Sequence, residues 1–244
     1  MIDSTSEDCL LTYTEAGVRT LLMNRPARRN ALNTELTQRM LDALLLADSD
    51  PEIDVVVLGG VGPSFCAGAD ISEFSTLVPE NAKLVDERAD LTMRLHKCFP
   101  SMSKPVIAAV EGAARGGGAG LALACDMLVM AEDASLAYPE VTRGIVPAIV
   151  MTNLTRQLGP KLAFNMVITG EILAAQRASD MGITMRLSTA GQALTDATQL
   201  AIQIAGYKSQ AVQATKKLFY TVWEIPFDEG LESGRCANVA MRTY

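Results

Sequence analysis

Apolar and polar positions divide the chain into two regimes. Through about residue 150, short apolar runs of strand length alternate with longer stretches of helical period. Cys9–Thr14 and Val18–Asn24 read as two strands joined by a turn at Glu15-Ala16-Gly17. Asn33 stands where it can cap a helix running through Ala47, with Leu36, Met40, Leu41, Leu44 and Leu45 on the apolar side. Asp54–Leu58 is a short apolar strand that stops at Gly59-Gly60. A helix from about Asn81 to Phe99 sets Leu84, Arg88, Leu91, Leu95 and Cys98 along one face. Strand Val106–Val110, a glycine loop at Gly112–Gly118, a helix to Ala124 and strand Met127–Ala131 follow.

Beyond Thr152 helical periodicity takes over. The stretches are Leu154–Leu158, Lys161–Thr169, Ala174–Met181, Ala190–Ala205, Ala211–Trp223 and Phe227–Arg242, with strand character only near Ile183–Leu187. The pattern predicts mixed α/β layering around an open or spiralling sheet. The helical tail is expected to pack on that core or on a neighbouring subunit. Leu194, Leu200, Ile202 and Ile204 exceed what one thin layer would bury, which predicts self-association.

Composition narrows the function classes. With 244 residues, 49% hydrophobic and 20% charged, the chain suits one domain with a sizeable core and is not disordered. Twenty-one basic against 28 acidic residues leave a net charge of −7, which argues against nucleic acid as a partner. Local arginines can still hold a small anion. The start, Met1–Asp8, is acidic and polar, unlike a signal peptide, and Glu111 and Asp126 interrupt the apolar stretches before membrane-spanning length. A soluble cytoplasmic protein with no membrane partner is expected. Five scattered cysteines without a C-x-x-C read as buried free thiols. His96 is the only histidine, so no metal site or histidine-based triad is expected, and it reads as a surface or satisfied helix residue.

The run Gly112–Ala124 sits between a strand and a helix, and its consecutive Gly116, Gly117 and Gly118 allow close backbone approach and leave amides free at the helix start. The spacing does not make a dinucleotide-binding fingerprint. Taken alone, the loop is either an anion cradle or a tight turn with close helix packing. A second loop, Ser64–Phe74, follows the apolar strand, and Asn24–Leu32 precedes it. With Lys104–Val110, Gly116–Gly118, Ala124-Cys125-Asp126 and Tyr138–Pro147 in that order, the chain resembles the enoyl-CoA hydratase/isomerase (crotonase) superfamily from about Val18 to Trp223.

The resemblance implies an α/β fold: a crotonase-like spiral of ββα turns over residues 1–188 and a C-terminal helical trimerisation region over 189–244, assembling as a homotrimer or hexamer. It implies an acyl-CoA thioester as substrate and no separate cofactor, coenzyme A being part of the substrate. Ala69 and Gly117 match the backbone donors of an oxyanion hole, and Glu140 matches the acid/base. Arg28, Ala67, Ala69, Asp70, Ile71, Gly116 and Gly117 match the substrate and coenzyme A contacts, with Arg25, Arg28 and Arg29 as local positive charge for phosphates. Hydratases of the family usually carry a further glutamate where this chain has Gly120. That absence favours Δ3,Δ2-enoyl-CoA isomerisation by a single base, and the apolar run Pro147–Thr152 points the same way. The alternative is hydration of a 2-enoyl-CoA, and a third reading is a non-catalytic acyl-CoA-binding protein. A carboxylate restored at position 120 is expected to introduce hydration if the pocket admits water.

Overall fold

Strands buried on both faces must lie inside a layered structure, and Val55–Leu58 and Val106–Val110 are buried throughout. The computed structural model describes residues 8–243, so Met1–Glu7, most of the acidic start, and Tyr244 lie outside the described residues. β1 (Leu10–Glu15) and β2 (Val18–Met23) form an antiparallel hairpin with Leu10 opposite Met23. Its two-residue turn holds Ala16 at φ 48° and Gly17 at φ 76°, the left-handed pair a tight hairpin needs. β2 pairs in parallel with β3 (Val55–Gly60), which continues to β4 (Val106–Val110). A second, smaller sheet contains β5 (Ala113–Arg115) and β7 (Ser135–Ala137), while β6 (Met127–Ala131) lies beside β4 in the large one. β8 (Leu173–Ala174) completes the small sheet and β9 (Arg186–Ser188) the large one, whose order is β1-β2-β3-β4-β6-β9. Successive passes of the chain thus feed one strand to each sheet, as the expected spiral of ββα turns does.

Helices close the passes: α1 (Thr34–Ser49), α2 (Ala82–Ser101) and α3 (Gly117–Ala124), then α4 (Met151–Leu158), α5 (Pro160–Thr169) and α6 (Ala175–Asp180). Asn33 caps α1 as predicted, its side chain accepting from the Leu36 amide at 3.0 Å. β5, β7 and β8 are absent from the sequence reading, because two or three residues show no period. The strand expected near Ile183–Leu187 sits slightly later, at Arg186–Ser188.

The helical tail divides. α7 (Ala193–Ala205) lays the small buried residues Ala193, Ala197 and Ala201 against the large sheet, so the helix approaches closely. Leu194, Leu200 and Ile204 then pack against the same core, and only Ile202 stays largely exposed. These leucines and isoleucines are therefore satisfied within the chain and do not demand a subunit partner, contrary to expectation. α7 also falls within the core layers although it lies beyond residue 188. Its start is held by Glu111, whose carboxylate accepts from the amides of Gly191 at 3.0 Å and Ala193 at 2.7 Å. The exposed apolar side chains of the tail are Phe219 and Trp223 on α8 (Ser209–Glu224) and Phe227, Leu231 and Val239 on α9 (Phe227–Ala240).

α8 is pinned by a buried cluster. Lys216 Nζ donates to Asp126 Oδ2 at 2.8 Å and to the Lys104 carbonyl at 2.8 Å, while Tyr220 donates to Asp126 Oδ1 at 2.8 Å. The Val106 amide donates to the same Asp126 carboxylate at 2.6 Å, which joins strand β4 to the helix. Cys9, Cys66, Cys98 and Cys125 are buried free thiols, but Cys236 is exposed on α9. His96 on α2 faces Asn153 on α4, Nδ1 to Nδ2 3.2 Å, and burial pulls its pKa down to about 4, so the ring is neutral near pH 7. Among the described residues no helix is long and apolar enough to cross a membrane.

Lys216→Ala strips the Asp126 carboxylate of its cation while leaving it mostly buried. Unfolding in denaturant should show a loss of about 3–5 kcal/mol, the usual cost of orphaning one member of a buried pair. Lys216→Met with Asp126→Asn should lose clearly less than the single change.

Candidate active site

The loop after β2 is shaped by one amide side chain. Asn30, fully buried at φ 56°, donates through Nδ2 to the carbonyls of Val61 (3.1 Å), Ser64 (2.9 Å) and Phe65 (3.1 Å). Its Oδ1 accepts from the Arg25 amide at 2.9 Å. Few residue types tolerate left-handed φ and also supply a donor and an acceptor; asparagine does both. Asn30 therefore joins the loop after β2 to the loop after β3. It carries no role in the sequence reading, although an uncharged amide after two arginines was an available signal.

The second loop then runs beside Leu32 as a short parallel bridge. The Leu32 amide donates to the Gly68 carbonyl at 2.8 Å, and the Asp70 amide to the Leu32 carbonyl at 3.1 Å. Since the neighbours on either side make these bonds, the Ala69 N–H points the other way. It points toward the glycine loop. Gly68, at φ +92°, lies so close to the second loop that an added Cβ would meet the Arg115 carbonyl at 2.6 Å. A Cβ on Gly118 would collide with the Cys66 carbonyl. One on Gly117 would sit 3.6 Å from the Ala69 nitrogen, so the two amides flank one small space. Gly117 opens α3, where an amide has no intrahelical acceptor and carries the positive end of the helix dipole.

Glu140 completes the space. A Cβ added to Gly116, which sits at φ +49°, would touch Glu140 Oε1 at 2.5 Å, so the carboxylate lies against that glycine. Glu140 Oε2 is buried with no hydrogen-bond partner. Burial raises the Glu140 pKa above the ordinary carboxylate range, offset in part by its own backbone amide and by Arg143. The cleft measures about 60 Å³ and is lined by Ala67, Ala69, Ile71, Gly117, Glu140 and Arg143 among others. Among the described residues no cluster of three His, Cys, Asp or Glu side chains could hold a metal ion.

The remaining expected residues behave differently. Ala67, Ala69, Gly116 and Gly117 line the cleft, and Ile71 stands exposed at its edge. Asp70 is turned inward. Its carboxylate pairs with Arg25 at 2.8 Å and caps a short turn through Ser72 N (3.1 Å) and Oγ (2.7 Å). Burial alone would raise the Asp70 pKa, but the Ser72 and Arg25 hydrogen bonds bring it below the usual value. Arg25 is thereby occupied within the loop, and it also donates to the Ala31 carbonyl, so it is not the free phosphate cation the sequence suggested. Arg28 is exposed and lines neither this cleft nor its neighbour.

Position 120 is filled from the other side. A Cβ on Gly120 would meet Val150 Cβ at 2.6 Å and Val150 Cγ1 at 3.1 Å. Val150 is buried, so a glutamate introduced at 120 has no room, which corrects the expectation that it would restore a second carboxylate.

The sequence profile of the enoyl-CoA hydratase/isomerase family matches residues 13–235. The chain is 37% identical over 227 residues to a 2,3-dehydroadipyl-CoA hydratase of Escherichia coli, covering 93% of this chain and 87% of the relative. Among solved structures, it is similar to an enoyl-CoA hydratase from Polaromonas, with TM-score 0.90, 31% identity and coverage of 95% and 90% of the two chains. An enoyl-CoA hydratase from Bacillus anthracis gives TM-score 0.91 at 28% identity, covering 97% and 92%.

Gly120→Ala should destabilise the fold by about 1–3 kcal/mol through overpacking against Val150. Adding Val150→Ala should recover most of that loss, and additive effects of the two changes in denaturant unfolding would show that they do not meet.

Proposed function

The chain belongs to the enoyl-CoA hydratase/isomerase family, and from that premise we propose that it adds water across the double bond of a 2-enoyl-CoA, with Glu140 as the sole carboxylate at the reacting carbons. The observation that carries the reading is the half-buried Glu140, one oxygen unpartnered, set against the turn that presents the Gly117 amide opposite that of Ala69. The hydratase names of the relatives support water over double-bond migration.

The chemistry needs one carboxylate used twice. Glu140 takes a proton from water while the water oxygen bonds to the β-carbon. The electron pair of the double bond moves onto the α-carbon and thioester oxygen, and the resulting enolate is held by the Ala69 and Gly117 amides. Protonated Glu140 then returns its proton to the α-carbon, leaving a 3-hydroxyacyl thioester. A carboxyl whose pKa is raised by burial suits both steps, as it is a stronger base when ionised and still a competent acid when protonated. Each oxyanion donor contributes on the order of 3 kcal/mol to lowering the barrier.

Isomerisation of a 3-enoyl-CoA is the second reading. It is favoured by Val150 filling position 120 and by Ile145 in the cleft wall, which limit room for water. We also propose association into a trimer or hexamer, supported by the exposed apolar side chains of α8 and α9, for which light scattering should return the mass of three or six chains.

Product mass decides between the two reactions: a gain of water from a 2-enoyl-CoA supports hydration, whereas an isobaric product from a 3-enoyl-CoA alone supports isomerisation. Glu140→Gln should lower kcat by about two to four orders of magnitude. Retained turnover would remove Glu140 from the mechanism. For the wild type, kcat/KM should rise with pH through a Glu140 pKa above the ordinary carboxylate range, because the first step needs the ionised form. The same raised pKa means the fold binds that proton more tightly than the unfolded chain does. Stability from Glu140 is therefore full below the unfolded value and falls as pH rises through the folded one. Glu140→Gln should consequently gain melting temperature over the wild type near neutral pH and not in acid.

A further inference from the structure

A larger cavity of about 380 Å³ adjoins the Glu140 cleft and shares Ala67, Pro139 and Arg143 with it. Arg29 and Arg115 also line it, and the other lining groups are small or apolar apart from Ser64. No carboxylate is among them. In a chain of net charge −7 this is a local reversal of sign. Elsewhere arginines such as Arg19, Arg25, Arg88 and Arg156 are matched by acidic partners, whereas Arg29, Arg115 and Arg143 make no ion pair among the described residues.

The three cations are held in different ways. Arg115 is fixed by its Nη atoms donating to the Ala114 carbonyl (3.0 Å), the Ser135 carbonyl (2.8 Å) and Ser135 Oγ (3.0 Å). A guanidinium has about five N–H donors, so roughly two remain for a ligand. Partial burial lowers its pKa, as expected for a cation removed from water without a counter-charge. Arg29 and Arg143 are exposed and free to reach a bound group. Isolated, such residues would be ordinary solvated loop arginines. Their convergence on one cavity, with no acid to balance them, fits an incoming anionic oxygen group, which guanidinium binds through paired donors.

Pro139 precedes Glu140 in the chain and lines both spaces, so an acyl chain whose reacting carbons lie at Glu140 can extend past it into the larger cavity. We propose that this cavity receives a carboxylate at the far end of the acyl group, which makes the substrate class the coenzyme A thioester of an unsaturated dicarboxylic acid. The proposal rests on the thioester chemistry assigned to Glu140. A coenzyme A phosphate offers the same anionic oxygens, and the experiment separates the two sources.

Four thioesters serve as probes: six-carbon α,β-unsaturated acyl groups ending in a methyl or in a carboxylate, each carried on coenzyme A and on phosphate-free pantetheine. The wild type should turn over the carboxylated chain with higher kcat/KM than the methyl-ended chain on both carriers. In Arg143→Met that preference should fall by about tenfold or more on both carriers, and Arg143→Lys should restore part of it. Taking the ratio cancels any effect of Arg143 on Glu140 itself. Absence of a wild-type preference would overturn the proposal. So would an Arg143 effect confined to the coenzyme A carriers, which would assign the cavity to a phosphate. If no thioester is turned over, the reaction reading fails separately. Calorimetric affinities of the same four compounds for wild type and Arg143→Met then decide the cavity by the same ratio.

Discussion

Everything at the site depends on two backbone segments lying closer than side chains permit. The loop Cys66–Ala69 and the turn Arg115–Gly118 touch main chain to main chain, and the absence of a Cβ at Gly68 and Gly118 is what allows it. The approach is stapled by the Arg115 amide donating to the Cys66 carbonyl at 2.9 Å and the Cys66 amide donating to the Ala113 carbonyl at 3.2 Å. Two amides from segments nearly fifty residues apart thereby face one small volume, one of them at a helix start. Such donors are fixed before any substrate arrives, so no reorganisation is needed when negative charge develops.

That arrangement shifts cost onto neighbouring groups. Glu140 is lodged against Gly116 with an unpaired oxygen, an arrangement that weakens the fold near neutral pH while making the carboxylate more basic. Asn30 and the Arg25–Asp70 pair act in the opposite sense. They use charge and hydrogen bonding inside the loop to hold Ala67–Ala69 in position, not to touch a ligand. Adjacent groups of one polar segment thus do different work: Arg25 is structural, whereas Arg29 remains unpaired at the wall of the larger cavity. Net charge alone conveys neither role.

The legible part of the fold consisted of elements with long, one-sided patterns. β2 to β4, α1 with its Asn33 cap and α2 all occur where period and capping placed them. β5, β7 and β8 are too short to show a period, yet they form the sheet that carries Arg115 and leads into Glu140. The self-association argument from α7 failed for a related reason. Its alanines let the helix press onto the large sheet, so that Leu194, Leu200 and Ile204 find partners within the chain, and a linear pattern shows only that such residues need burial, not where they get it.

By itself the sequence determined the order of the segments, the small residues at Ala67, Ala69 and Gly116–Gly118, and the single carboxylate at Glu140. These are local properties, because a left-handed φ, a missing Cβ or a titratable group belongs to one position. Tertiary structure alone decided that Val150 occupies the space beside Gly120, that Asp70 turns inward to Arg25, and that three arginines from separate loops share a cavity. Each of these is a relation between residues far apart in the chain. Distances of that kind are set by how closely the sheets and helices pack, and packing is a property of the whole core rather than of any stretch within it.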